Sequence, residues 1–195
     1  MKKYGPIIAL LLVIGLMGFQ TLAYFTTQTK TTNVITTASI DIELYNMMLD
    51  ANGEEVALDT EIDGIIPGDT ESQRPYVTNT GEVPLYARVQ LSSNIIDRNG
   101  EEMLNILEFN IDTENWIADK ANDGWYYYKD IIQPGEKVKS PLFTEVHFPI
   151  DTMGNEHVGS TSTISVKAQA VQSEHNEHEN VLDVQGWPLA EGGAK

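Results

Sequence analysis

Four histidines and 29 carboxylates are the side chains of this sequence best suited to chemistry, and no cysteine stands beside them. The missing thiol excludes disulfides, zinc–thiolate sites, iron–sulfur clusters and a cysteine nucleophile. His175 and His178 sit three residues apart among Glu174, Glu177 and Glu179. On a helix that spacing would set both imidazoles on one face, as metal ligation requires. His175, His178, Glu174 and Glu177 are therefore the candidate set for weak divalent-cation binding, and no other cofactor is expected. The competing reading is a solvated polar tail, because charge this dense favours water. Neither His-Glu-x-x-His nor its inverted form occurs in the chain, so no zinc-peptidase motif supports catalysis. His147 lies beside Phe148 and His157 lies in a Gly/Asn-rich stretch, both without a local catalytic partner. No catalytic residue is assigned.

Pairs such as Glu54-Glu55 and Glu101-Glu102 arise by chance in so acidic a chain, and turns would expose them. An acid/base pair needs burial to separate its two pKa values. Asp97-Arg98-Asn99-Gly100-Glu101-Glu102 has calcium-like chemistry but not the EF-hand spacing, so it reads as an acidic turn. There is no Gly-x-Ser-x-Gly and no phosphate-binding glycine loop. Trp125-Tyr126-Tyr127-Tyr128 could form a sugar-stacking platform. In a strand, however, Trp125 and Tyr127 point away from Tyr126 and Tyr128, which leaves two rings in the core and two outside.

The elements that must position these groups are mostly strands. Ile40, Ile42 and Leu44 alternate with Asp41 and Glu43. Leu85, Ala87, Val89 and Leu91 alternate likewise, as do Ile164, Val166, Ala168 and Ala170. Asn52-Gly53, Pro67-Gly68-Asp69, Asn99-Gly100 and Pro134-Gly135 read as turns between them. Residues 101–109 are the best helix candidate, although strand spacing fits them almost as well. Eight or nine short strands with regular turns predict an all-β, jelly-roll-like β-sandwich over residues 24–172. Residues 173–195 form a polar C-terminal tail, which Val181, Leu182, Val184 and Trp187 could dock back onto the sandwich.

The chain carries 12 bases against its 29 acids, a net charge of −17. That excludes a dedicated nucleic-acid binder, which needs cations to displace phosphate counterions. A hydrophobic share of 41% supports a core and argues against global disorder. Met1-Lys2-Lys3-Tyr4 is a basic start, and residues 7–19 are unbroken apolar residues and glycine. Thr21-Leu22-Ala23 follows with a small residue at its end. This is the pattern of a secretory signal peptide over residues 1–23, cleaved between Ala23 and Tyr24. Its alternative is an uncleaved anchor, because the apolar stretch extended to Phe25 nearly reaches spanning length. Membrane contact is expected only through this segment. Residues 24–37 are β-prone and lightly charged, and cleavage would free them at a new N-terminus. Such a strand either completes its own sheet or pairs with the open edge of another subunit.

In order, the motifs are Ala23-Tyr24-Phe25-Thr26, Thr37-Ala38-Ser39-Ile40-Asp41-Ile42, Pro67-Gly68-Asp69 and Asn79-Thr80-Gly81 before Tyr86-Ala87-Arg88-Val89. After them come Trp125–Tyr128, Gln133-Pro134-Gly135-Glu136 with Pro141-Leu142-Phe143, and the closing Val166–Gln172. This succession resembles the TasA–camelysin family of Gram-positive surface proteins, over nearly the whole chain. The resemblance implies a secreted jelly-roll subunit of extracellular biofilm matrix or surface fibres. It also implies processing by a SipW-type signal peptidase and self-association, with room for a related minor subunit. Fibres in that family are thought to form by N-terminal strand donation. Carried here, the polymerisation strand lies within residues 24–37 and includes Tyr24, Phe25, Thr26, Thr27, Val34 and Ile35. The alternatives are a camelysin-like cell-surface metallopeptidase, or a monomeric adhesin or carbohydrate-binding module using the tyrosines near Trp125.

Overall fold

The computed structural model describes residues 30–33, 40–58, 66–97, 99–120, 124–153 and 160–188. The expected signal segment, its cleavage point at Ala23 and Tyr24, the residues Phe25, Thr26, Thr27, Val34 and Ile35, and His157 lie outside them. In chain order the strands are β1 (Lys30–Asn33), β2 (Ile42–Leu49), β3 (Glu55–Ala57), β4 (Thr70–Ser72), β5 (Arg74–Asn79) and β6 (Leu85–Ile96). There follow β7 (Glu102–Leu104), β8 (Glu108–Phe109), β9 (Trp116–Ala118), β10 (Trp125–Tyr128), β11 (Glu145–His147) and β12 (Thr161–Gln172). Among the described residues, one 3-10 turn, Val181–Asp183, completes the elements.

The expected all-β sandwich forms. Its spine is the antiparallel pair β6–β12, in register from Leu85 opposite Gln172 to Ile96 opposite Thr161. The main sheet runs β1-β12-β6-β10-β9, with β7 also pairing β6. Two smaller sheets, β3-β2-β5 and β4-β11-β8, complete the fold. The alternation read from the sequence decides which faces meet. Leu85, Ala87, Val89 and Leu91 from β6 and Ile164, Val166, Ala168 and Ala170 from β12 are buried on one face. They share a core with Ile42 and Leu44 of β2, Val77 of β5 and Val146 of β11. Each such aliphatic side chain contributes about 1.5–3 kcal/mol by leaving water, and Asp41 and Glu43 stay exposed as the pattern requires.

Residues 101–109 are not helical. They form β7 and β8, separated by Asn105 at φ 54. A left-handed residue ends any right-handed helix. Asn105 is held there by β6, because its N–H donates to the Ser93 carbonyl at 2.8 Å and its Oδ1 accepts from the Ser93 N–H at 2.9 Å. Tertiary hydrogen bonds have overridden a local apolar pattern that suited both structures.

Two turns are built alike from the same hexapeptide pattern, Asp-x-Asn-Gly-Glu-Glu, beginning at Asp50 and at Asp97. Asp50 Oδ1 accepts from the N–H groups of Asn52 and Glu54 at 2.8 and 2.9 Å. Asp97 Oδ1 accepts from those of Asn99 and Glu101 at 2.8 and 2.7 Å. Gly53 at φ 81 and Gly100 at φ 84 supply the left-handed corner. These backbone donors, led by Glu54 and Glu101, hold both aspartates below their ordinary value of 3.8. The carboxylate form thus prefers the folded chain, so this stability is present above pH 3.8 and fades as pH falls through the lowered folded value. An Asp50→Asn, Asp97→Asn chain is expected to lose less stability than the parent between pH 5 and pH 3. Urea midpoints at the two pH values measure this, and equal losses would show that the turns do not contribute to acid sensitivity.

Candidate functional site

The histidine set does not gather. His175 has φ 61, so the chain turns there and no helix carries His175 and His178 on one face. The pair His175–Glu174 is 3.9 Å apart with both side chains largely in water, and Glu177 and His178 are exposed. Among the described residues no three His, Asp or Glu side chains are placed to hold a metal ion. His147 lies in β11, with Nδ1 3.1 Å from the Thr70 hydroxyl of β4. Asp97 spends its oxygens on its own turn.

The aromatic run alternates as expected, but the outward pair is covered. Tyr128 sits in the main core and Tyr126 packs against it half-buried. Trp125 and Tyr127, on the other face of the sheet, form a second cluster with Tyr86, Val171, Val181 and Val184. The C-terminal segment therefore straps the outer face, and neither Trp125 nor Tyr127 offers a free platform to a sugar. Val181, Leu182, Val184 and Trp187 dock onto the sheet as the sequence suggested.

Arg88 fastens the strap, a role that sequence reasoning missed. Register places Gln169, Arg88 and Tyr127 in one row across β12, β6 and β10. Arg88 Nε and Nη2 donate to Gln169 Oε1 at 2.9 and 2.6 Å, and Nη1 donates to the Tyr127 hydroxyl at 2.9 Å. Its Nη2 also reaches the Pro188 carbonyl at 3.3 Å. The guanidinium carbon lies 4.2 Å from the Trp125 ring centre and 4.7 Å from that of Trp187. Burial pushes the Tyr127 phenol up, and the Arg88 hydrogen bond and charge oppose that shift. The available signal was an arginine at an outward position of a long strand, with one late tryptophan to pair with it.

The third candidate is an edge. β12 pairs with β6 along one side. On its other side β1 runs parallel, from Lys30 opposite Ser165 to Asn33 opposite Ala168. The described part of the expected polymerisation segment is thus paired within its own chain. Before Ser165 the edge continues through Thr161–Ile164, which no strand covers on that side among the described residues. Here the interior turns polar. Ser93, Ser160 and Ser162 are buried, and their hydroxyls have no partner among the described residues. Sequence reasoning expected a strand within residues 24–37 but not the neighbour of its described part, because β12 reads from sequence as an ordinary amphipathic strand.

Comparison with protein-family models, curated proteins and solved structures finds no match to this chain.

Proposed function

We propose that this chain is a secreted structural subunit that builds extracellular surface or matrix fibres by exchanging its N-terminal strand between neighbouring copies. The observation that carries the reading is the seat of β1. It is a four-residue end strand lying parallel on a twelve-residue strand at the border of the main sheet. Such a strand can leave its own sheet and be replaced by the same strand of another copy, with the same hydrogen bonds re-formed. Exchange of identical elements is a low-cost route to association. Each copy gives a strand at one place and receives one at another, and a head-to-tail contact of this kind propagates instead of closing. The ribbon suits its acceptor chemically. Thr26, Thr27, Thr29, Thr31 and Thr32 can donate and accept hydrogen bonds, and the acceptor edge borders buried serine hydroxyls. The resemblance to TasA–camelysin proteins, which rests on sequence motifs, points the same way, as does the exported character of the leader.

The test is removal of residues 24–37 from the processed chain, with electron microscopy and sedimentation as readouts. The truncated protein is expected to stay soluble and monomeric where the parent forms fibres. Normal fibres from the truncation would end the proposal. Without Lys2 and Lys3 the processed chain has 29 acids against 10 bases, a net charge of −19 that makes copies repel one another, and salt shortens that repulsion to about 10 Å at 0.1 M. Parent assembly should accordingly accelerate with added salt and on acidification.

A further inference from the structure

We propose that a cleft between β6, β8 and β10 binds a neutral hexopyranose unit of a polysaccharide chain. The cleft has a volume of about 550 Å³ and is lined by Leu91, Ser92, Asn105, Leu107, Phe109, Gly124 and Tyr126. That size lies within the usual range for small-ligand sites, and it takes in Tyr126, the least buried ring of the Trp125–Tyr128 run.

The lining has a consistent chemistry. None of these seven residues is charged, in a chain with 29 acidic and 12 basic side chains. A phosphate, nucleotide or metal ion would find no counter-charge among them. A pyranose presents an apolar C–H face and a rim of hydroxyls. Phe109 and Tyr126 offer aromatic surface for the first, and Leu91 and Leu107 are buried beneath. The Tyr126 phenol and the Asn105 amide offer neutral donors and acceptors for the second. Asn105 is fixed before any ligand arrives, by its two hydrogen bonds to the Ser93 backbone. Its oxygen is committed to the Ser93 N–H, which leaves the amide nitrogen to donate. Phe109 is braced edge-on against Phe143, with ring centres 4.8 Å apart. Gly124 brings β10 close to β6, and a Cβ there would stand 2.7 Å from the Leu91 carbonyl oxygen. A fixed donor and braced rings lower the ordering cost of binding. The inference does not depend on strand exchange, since the seven residues named belong to the folded sandwich.

The experiment is calorimetric titration of the purified full chain with cellohexaose and maltohexaose, and with hexagalacturonate as the charged comparison. At least one neutral oligosaccharide is expected to bind with Kd at or below about 1 mM, and hexagalacturonate at least about tenfold more weakly. Tyr126→Ala should weaken binding about tenfold or more, by removing a stacking surface. Asn105→Asp keeps the oxygen that accepts from the Ser93 N–H, removes the amide donor and adds a negative charge to the lining. It should weaken neutral binding about tenfold or more while leaving the urea midpoint close to that of the parent. No neutral binding up to about 10 mM, equal binding of hexagalacturonate, or unchanged affinity in a folded Asn105→Asp chain would each overturn the assignment.

Discussion

A chain carrying Lys30→Cys and Ser165→Cys is expected to remain monomeric while oxidised and to form fibres once a reductant is added. Register sets these two residues side by side across β1 and β12. Neighbouring strands lie about 4.8 Å apart, inside the Cα separation of about 4.4–6.8 Å that a disulfide bridges. The natural chain has no cysteine, so the engineered pair would be the only thiols present, and non-reducing mass measurement separates a bond within one chain from one between copies. Oxidation ties β1 to its own chain, and no copy can then give a strand or receive one at that edge. Reduction restores the exchange without altering the sequence. The expected effect is all-or-none in electron micrographs and in sedimentation. Fibres from fully oxidised protein, with the disulfide verified by mass, would mean that the ribbon of residues 24–37 is not passed between copies at β12. The deletion alone could not say this, because it also removes β1 from the monomer.

Arg88→Ala should destabilise the fold by about 3 kcal/mol. The estimate combines cation–π contacts worth about 0.5–2 kcal/mol each with charge-assisted hydrogen bonds worth about 1.5–3 kcal/mol each. It is discounted because the groups share one guanidinium and are not additive. Arg88→Lys keeps the charge but loses the planar fork that meets Gln169 and Tyr127 together, and should recover less than half of the loss. Trp187→Ala should cost about 2 kcal/mol, since its ring packs edge-on against Tyr127 with centres 5.4 Å apart and also faces Arg88. If the strap is held as described, the double variant will lose less than the sum of the two by at least about 1 kcal/mol. Urea denaturation followed by tryptophan fluorescence reads all four values. Strict additivity would show that the C-terminal segment lies on the sheet without being fastened by Arg88.

The strap also explains why Trp125 and Tyr127 present no open ring face to a sugar. Alternation along β10 was legible in the sequence, so the division of the four rings into two pairs followed directly. What covers the outward pair was not legible. The covering residues, Val181, Val184 and Trp187, lie more than fifty positions downstream and behind the polar stretch from Glu174 to Glu179. The histidine set fails for a related reason. Spacing of three places two side chains together only on a helix, and His175 adopts φ 61, which the residue pattern does not announce.

The sequence by itself determined the class of the fold, its inward faces and several of its turns. The reason is local: period-two alternation and Asn-Gly or Pro-Gly corners act over a few bonds and need no distant partner. That is why the alternate residues Leu85, Ala87, Val89 and Leu91, and Ile164, Val166, Ala168 and Ala170, read as interior from the sequence alone. The tertiary structure alone decided which strands became neighbours. It set β1 on the border of β12, drew Gln169, Arg88 and Tyr127 into one row, turned residues 101–109 into two strands and opened the cleft beside Tyr126. Each of these depends on side chains far apart in the chain meeting across a sheet. Pairing free energy is earned only after the loop between them closes, and no local pattern encodes which of several similar edges will close first.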